Sequence, residues 1–294
     1  MKARFFSGLS FYLIFYTLNL YFGFDCYIFV TFFIYLLIVT INCRYMKKIT
    51  FILSLLLAFS TIGYSQVSGY TFSQSNVTYT PITGGTVLGN TTTDDQRFVD
   101  PATPLGGTVN TGVGFPIGFD FTYNGLVYDR FAVNANGWIS LGVSTLTPSV
   151  NINTTSAYTP LSSTVTTVTN ELVARIAGYA RDLNAQTGAE LRFETIGSAP
   201  NRKLVVQWSN YRNYNATGNN LNFQIVLNET TNSVDVIYGT MTVATSTTTM
   251  VGLRAEPNNN ATNFNSRTST TSWSSSSAST NAGNTMTISA TIFP

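Results

Sequence analysis

Histidine is missing from all 294 residues. Its absence removes the commonest general base and metal ligand, and with it any Ser-His-Asp triad or histidine-bound zinc. Cysteine is nearly missing too, because Cys26 and Cys43 both fall in the first 45 residues. The remaining chain therefore has neither a disulfide nor a thiolate metal site to stabilise it. Charge is scarce, at 10% of residues, and the net +2 misrepresents most of the chain. Five basic residues (Lys2, Arg4, Arg44, Lys47, Lys48) and a single acid, Asp25, precede Gln66. From Gln66 onward ten basic residues face twelve acids, a net of −2. Charges so few and so scattered leave no footprint for nucleic acid, which is excluded as a partner.

What is present divides the chain in two. Residues 1–65 are apolar and aromatic, whereas the 229 residues after Ser65 are rich in Thr, Ser, Asn and Gly. Met46-Lys47-Lys48 opens a positive region, and Ile49 to Ile62 follows as an apolar stretch of 14 residues. Gly63 and Ser65 are small residues before Gln66. This anatomy predicts a signal peptide over 46–65 with its cut between Ser65 and Gln66, and hence export across the inner membrane. Residues 9–41 form a second apolar run broken by Asn19 and Asp25. As a helix it would extend about 50 Å across a hydrocarbon core of about 30 Å. Residues 1–45 hold nine Phe and six Tyr but one alanine, a composition unlike that of membrane helices. Two expectations follow for this segment. Either the reading frame is over-extended and translation starts at Met46, or residues 1–45 are a hydrophobic helical anchor and the only membrane contact.

After Gln66 the pattern is that of strands. Ile117, Phe119, Phe121 and Tyr123 alternate with small or polar residues, and Asn124-Gly125 then marks a hairpin. Asn136-Gly137 marks a second turn before Trp138. Further strands are expected at 172–180, 189–196, 202–211 and in "NLNFQIVLNET" and "NSVDVIYG", with a polar loop "RDLNAQTG" between the first two of these. "TMVGLRAE" and "NTMTISATIF" complete the set. The stretches 83–114 and 143–171 read as long polar loops, and 257–284 as a near low-complexity excursion with Trp273 returning to the core. The expected fold is all-β, an antiparallel β-sandwich of jelly-roll or immunoglobulin-like type spanning 66–294 as one domain.

The segment "IGFDFTYNG" followed by "FAVNANGWISLG" resembles the opening strands of nidogen-like extracellular domains. It is more similar still to the N-terminal β-sandwich of secreted, adhesin-like surface proteins of Bacteroidetes. "APNRKLVVQWSNY", "LNFQIVLNETTNSVDVIYG" and "VGLRA" fit the later part of that pattern. The resemblance implies an exported surface module, of the kind carried by type IX secretion cargo. Nidogen-like domains usually carry a "PFWxD"-type segment where this chain has "GYARDL" at 178–183, so no role carries over to that acidic loop. Members also continue into repeats and a sorting domain, whereas this chain stops at "TISATIFP", the pattern of a frame cut short at its C-terminus.

No catalytic residue, metal site or cofactor is expected. Asp94, Asp95, Asp182, Glu190 and Glu194 are acids from which a glycoside-hydrolase-like pair could be drawn, but no spacing selects two. Asp94, Asp95 and Asp100 match no calcium motif. Trp208, Tyr211 and Tyr214, with Asn210, Asn213 and Asn215, are the candidate ligand-binding residues of a carbohydrate-binding module, the two tyrosines being expected in an exposed loop. The competing expectation places Trp208 in the core and the tyrosines on its rim. The six Asn-x-Thr sequons carry no assigned role. The leading expectation is a non-catalytic adhesion-type module whose partner is an extracellular protein or glycan.

Overall fold

The structure is a computed structural model that describes residues 70–89, 95–104, 106–153, 158–161, 174–243, 249–255, 264–269 and 284–290. The chain divides into Met1–Gly63 and Tyr64–Pro294, and every described residue belongs to the second unit. The anchor segment, the signal peptide, the Ser65–Gln66 cut and Trp273 lie outside the described residues. Among those described, all regular structure is β.

Seven strands form a first sheet, in the order β1 (Tyr70–Asn76), β16 (Asn284–Ala290), β13 (Val234–Thr242), β12 (Asn220–Asn228), β11 (Lys203–Asn213), β10 (Leu183–Ile196) and β2 (Thr86–Gly89). A second sheet runs β15 (Phe264–Ser269), β14 (Thr249–Arg254), β9 (Arg175–Ala180), β7 (Trp138–Gly142), β6 (Leu126–Asn134), β3 (Arg97–Phe98), with β5 (Phe115–Tyr123) also on β6. A two-stranded ribbon joins β4 (Thr111–Gly112) to β8 (Val150–Asn151). The pairings are antiparallel throughout.

The alternation read from β5 is realised: Phe115, Ile117, Phe119, Phe121 and Tyr123 are buried and the residues between them are not. Both sheets feed one apolar core. Phe193 of β10 meets Phe115 and Phe131 edge-on, at 5.2 and 5.0 Å between ring centroids. Trp208 of β11 stacks on Phe223 of β12 at 4.8 Å, and its Nε1–H donates to Ala135 O at 3.0 Å. Tyr238 likewise reaches across, its hydroxyl donating to Gly178 O at 2.7 Å. Buried polar tips thus find carbonyl partners on the opposite sheet, as burial demands.

The outer faces are covered differently. Residues 77–85 run as an extended strap across the first sheet. Tyr79 lies on Gly239, where a Cβ would stand 2.8 Å from the ring. Gln224 donates to Thr80 O at 2.9 Å, Gln207 accepts from Ile82 N–H at 2.9 Å, and the two glutamines bond each other at 2.8 Å. On the second sheet, Trp138, Ala132, Ala177 and Ala180 pack with Val150, Ile152 and Leu161 in a separate apolar cluster. The guanidinium of buried Arg175 lies over Trp138 at 4.5 Å.

Two expectations are corrected. "RDLNAQTG" is not a loop, because β10 begins at Leu183 and only 181–182 connect it to β9. Leu183 and Ala185 are buried and hold the chain to the sheet. The stretch 83–114 contains β2, β3 and β4 rather than one long loop.

Candidate functional site

The strand registers give the domain two poles. One carries the turns 124–125, 197–202 and 229–233. It is closed by Thr122 N–H donating to Asn232 Oδ1 at 2.7 Å and by Arg202 Nε donating to Glu229 Oε2 at 2.9 Å. Asn124 and Asn232 hold φ of 52° and 50°, the left-handed conformation that asparagine tolerates. The other pole gathers Asp95, the turn 135–137, the connection 181–182 and the loop 214–219.

Asn136, fully buried, is the hub of this second pole. Its backbone N–H donates to Asn134 Oδ1 at 2.9 Å and its Nδ2 donates to Asp95 Oδ1 at 2.6 Å. Its Oδ1 accepts from Leu183 N–H at 2.7 Å. One amide therefore joins three segments that are far apart in sequence. Gly137 follows with φ +86°, and a Cβ there would stand 2.0 Å from Tyr179 O. The Asn-Gly pair was expected to make a turn. That its asparagine would become an internal staple has no signal except its position inside an apolar run.

The hub brings two carboxylates together. Burial pushes the Asp182 carboxyl above its ordinary range, the charge of Asp95 adds to the rise, and Arg181 opposes it. Asp182 is half-buried and Asp95 exposed. The other candidate acids are engaged elsewhere. Glu190 is ion-paired to Arg192, which holds its carboxyl low. Asp100 accepts from Ala102 N–H at 2.9 Å within its own turn. Glu194 faces Gly84 of the strap. Asp94 lies outside the described residues. No group of three His, Cys, Asp or Glu that could hold a metal occurs among the described residues. An acidic pair beside an amide can accept hydrogen bonds from hydroxyl groups.

Beside this pole, β10, β11 and β12 slip register together, after Ala185, Trp208 and Leu221. Side-chain amides fill the gaps: Gln186 donates to Asn210 Oδ1 at 3.0 Å, and Asn210 N–H donates to Asn222 Oδ1 at 2.9 Å. Asn222 Nδ2 in turn donates to Thr240 O at 2.9 Å. A bulge reverses the alternation of the strand beyond it. Tyr211, expected in an exposed loop, consequently turns inward and is buried in β11. Trp208 is fully buried, and Tyr214 alone of the three rings is exposed, at 46%. Asn213 is buried and accepts from the Tyr179 hydroxyl at 3.4 Å, while Asn215 holds φ 54° at the loop's start. Neither Trp208 nor Tyr211 offers a face to a ligand.

The family described as NIDO related matches residues 69–293. Neither a curated protein nor a solved structure matches the chain.

Proposed function

The chain belongs to the NIDO-related family, and from that premise we propose that it is an exported, non-catalytic β-sandwich module of adhesion type, displayed at or released from a bacterial cell surface. The observation that carries this reading is the join between leader and domain. The predicted cut falls between Ser65 and Gln66, and the family match begins at residue 69. The domain that would emerge contains no cysteine and no histidine. Its cohesion rests on a shared apolar core and side-chain amides, which function in any redox compartment. Its partner is an extracellular protein or glycan.

The full-length gene, tagged at its C-terminus and expressed in a bacterial host, tests this. The expected product begins at Gln66 by N-terminal sequencing and is digested by protease added to intact cells. A product that starts at Met1 or Met46 and is cytoplasmic would sink the reading. A product that starts at Met1 and resists alkaline extraction from membranes would show the same module held by residues 1–45.

A further inference from the structure

The pairing Tyr70↔Ala290 places the first and last described residues side by side on neighbouring strands. Their pole is fixed independently. Ile288 pairs with Val234, next to the turn 229–233, and the Tyr70 hydroxyl accepts from Asn124 N–H at 2.8 Å. Chain entering at Tyr70 and chain leaving at Ala290 thus both do so at the pole of the tight turns. The pole of Asp95, Asn136, Asp182 and Tyr214 lies at the other end of strands such as the nine-residue β13, about 30 Å away at ordinary strand rise.

The loop pole also carries an exposed aromatic residue on a held backbone. Tyr214 N–H donates to Asp182 O at 2.8 Å, and Ala216 N–H donates to Asn213 O at 2.9 Å. The ring is exposed, but the backbone that bears it is held on both sides, so binding would cost little ordering. The first of these bonds sets Tyr214 beside residue Asp182, whose carboxyl feels the charges of Asp95 and Arg181. An exposed aromatic side chain near acidic residues suits a ligand with an apolar C–H face and a rim of hydroxyl groups, which is the chemistry of a sugar ring.

We propose that the loop pole binds a neutral saccharide, with Tyr214 stacking on the sugar face and Asp182 and Asp95 accepting hydrogen bonds from its hydroxyl groups. This rests on the surface-module reading and names its ligand class. The full-length exported protein is applied to immobilised mannan, xylan, laminarin, galactan and chitin, and the response is titrated. Binding to at least one polysaccharide is expected. Tyr214→Ala weakens it about tenfold, the loss of one stacking partner, whereas Tyr214→Phe retains it. Asp182→Asn weakens it several-fold, and Val127→Ser, on the opposite pole, leaves it unchanged. Each variant's thermal melt is recorded beside its titration. No binding to any of the five, or equal binding by the Tyr214→Ala variant, overturns the proposal. So does a loss in Val127→Ser matching that in Tyr214→Ala. If the protein is digested on intact cells yet binds no polysaccharide, only this inference falls. If it never leaves the cytoplasm, the reading beneath it falls as well.

Discussion

The two sheets cover their outer faces by opposite means. The second sheet uses an apolar cluster centred on Trp138, with Val150, Ile152 and Leu161 laid against it. The first sheet uses the strap 77–85, held mainly by amides: Gln207 and Gln224, buried in the middle of strands, bond the strap backbone at Thr80 and Ile82. An apolar cover derives its stability from area removed from water and is lost in proportion to volume deleted. An amide cover contributes little per bond but is costly to leave half-made, because the abandoned carbonyl or N–H stays buried. The apolar cover should therefore respond to truncation, the amide cover to loss of a single partner.

The largest effect is expected on the apolar side. Trp138→Ala should destabilise the domain by roughly 3–5 kcal/mol, read as a fall in the denaturant midpoint. It also removes the ring beneath the Arg175 guanidinium. A cost below about 1 kcal/mol would show that the cluster is not an independent core. On the strap side, Gly239→Ala drives a methyl into the Tyr79 ring and should cost about 1–3 kcal/mol by overpacking. The same substitution in a Tyr79→Ala background should be near neutral. Equal costs in both backgrounds would place the strain elsewhere. Gln224→Leu comes next, at about 1–3 kcal/mol, since Thr80 O loses its donor and Gln207 Oε1, which holds the Ile82 N–H, loses the amide that orients it. Hydrogen exchange at the Ile82 amide should accelerate relative to amides in β12. Unchanged exchange would mean that the strap is held by other contacts.

The same contrast explains what the sequence could disclose. Alternation marks a strand with one wet face, so β5 and its Asn124-Gly125 turn were readable from Ile117, Phe119, Phe121 and Tyr123. The strands β12 and β13 were readable from "NLNFQIVLNET" and "NSVDVIYG". Where both faces are covered, alternation disappears: Leu204 to Trp208 are all buried, Gln207 among them. A glutamine that binds a strap is indistinguishable in sequence from one facing water. The paired bulges of β10 to β12 were equally silent, because they depend on Gln186, Asn210 and Asn222 meeting across strands. The exposed position expected for Tyr211 fails there, and "RDLNAQTG" joins the sheet although it is rich in loop-formers. Of the candidate site, Tyr214 and Asp182 were readable as residue types. Their adjacency was not, since it is made by Asn136 and by a backbone bond from Tyr214 to Asp182.

The smallest effect expected is a gain, and it separates the loop pole from both covers. The folded state raises the Asp182 carboxyl through burial and the charge of Asp95. A carboxyl whose folded value lies above its unfolded one opposes folding once ionised. The penalty is present at neutral pH and disappears as pH falls through the folded value. Asp182→Asn should therefore stabilise the domain at pH 7 by less than about 1 kcal/mol, given the solvent near this half-buried group. The difference between variant and wild type should vanish below about pH 4. Other carboxylates run the opposite way. Glu190, Glu229 and Asp129 are held low by hydrogen bonds and, for the glutamates, by paired arginines. Both proteins should thus weaken together in acid, and only the difference between their melting curves reports on Asp182. A variant less stable than wild type at pH 7 would mean that this carboxylate supports the fold. A more stable variant that also binds polysaccharide less well would mean that the domain keeps a strained carboxylate for its ligand.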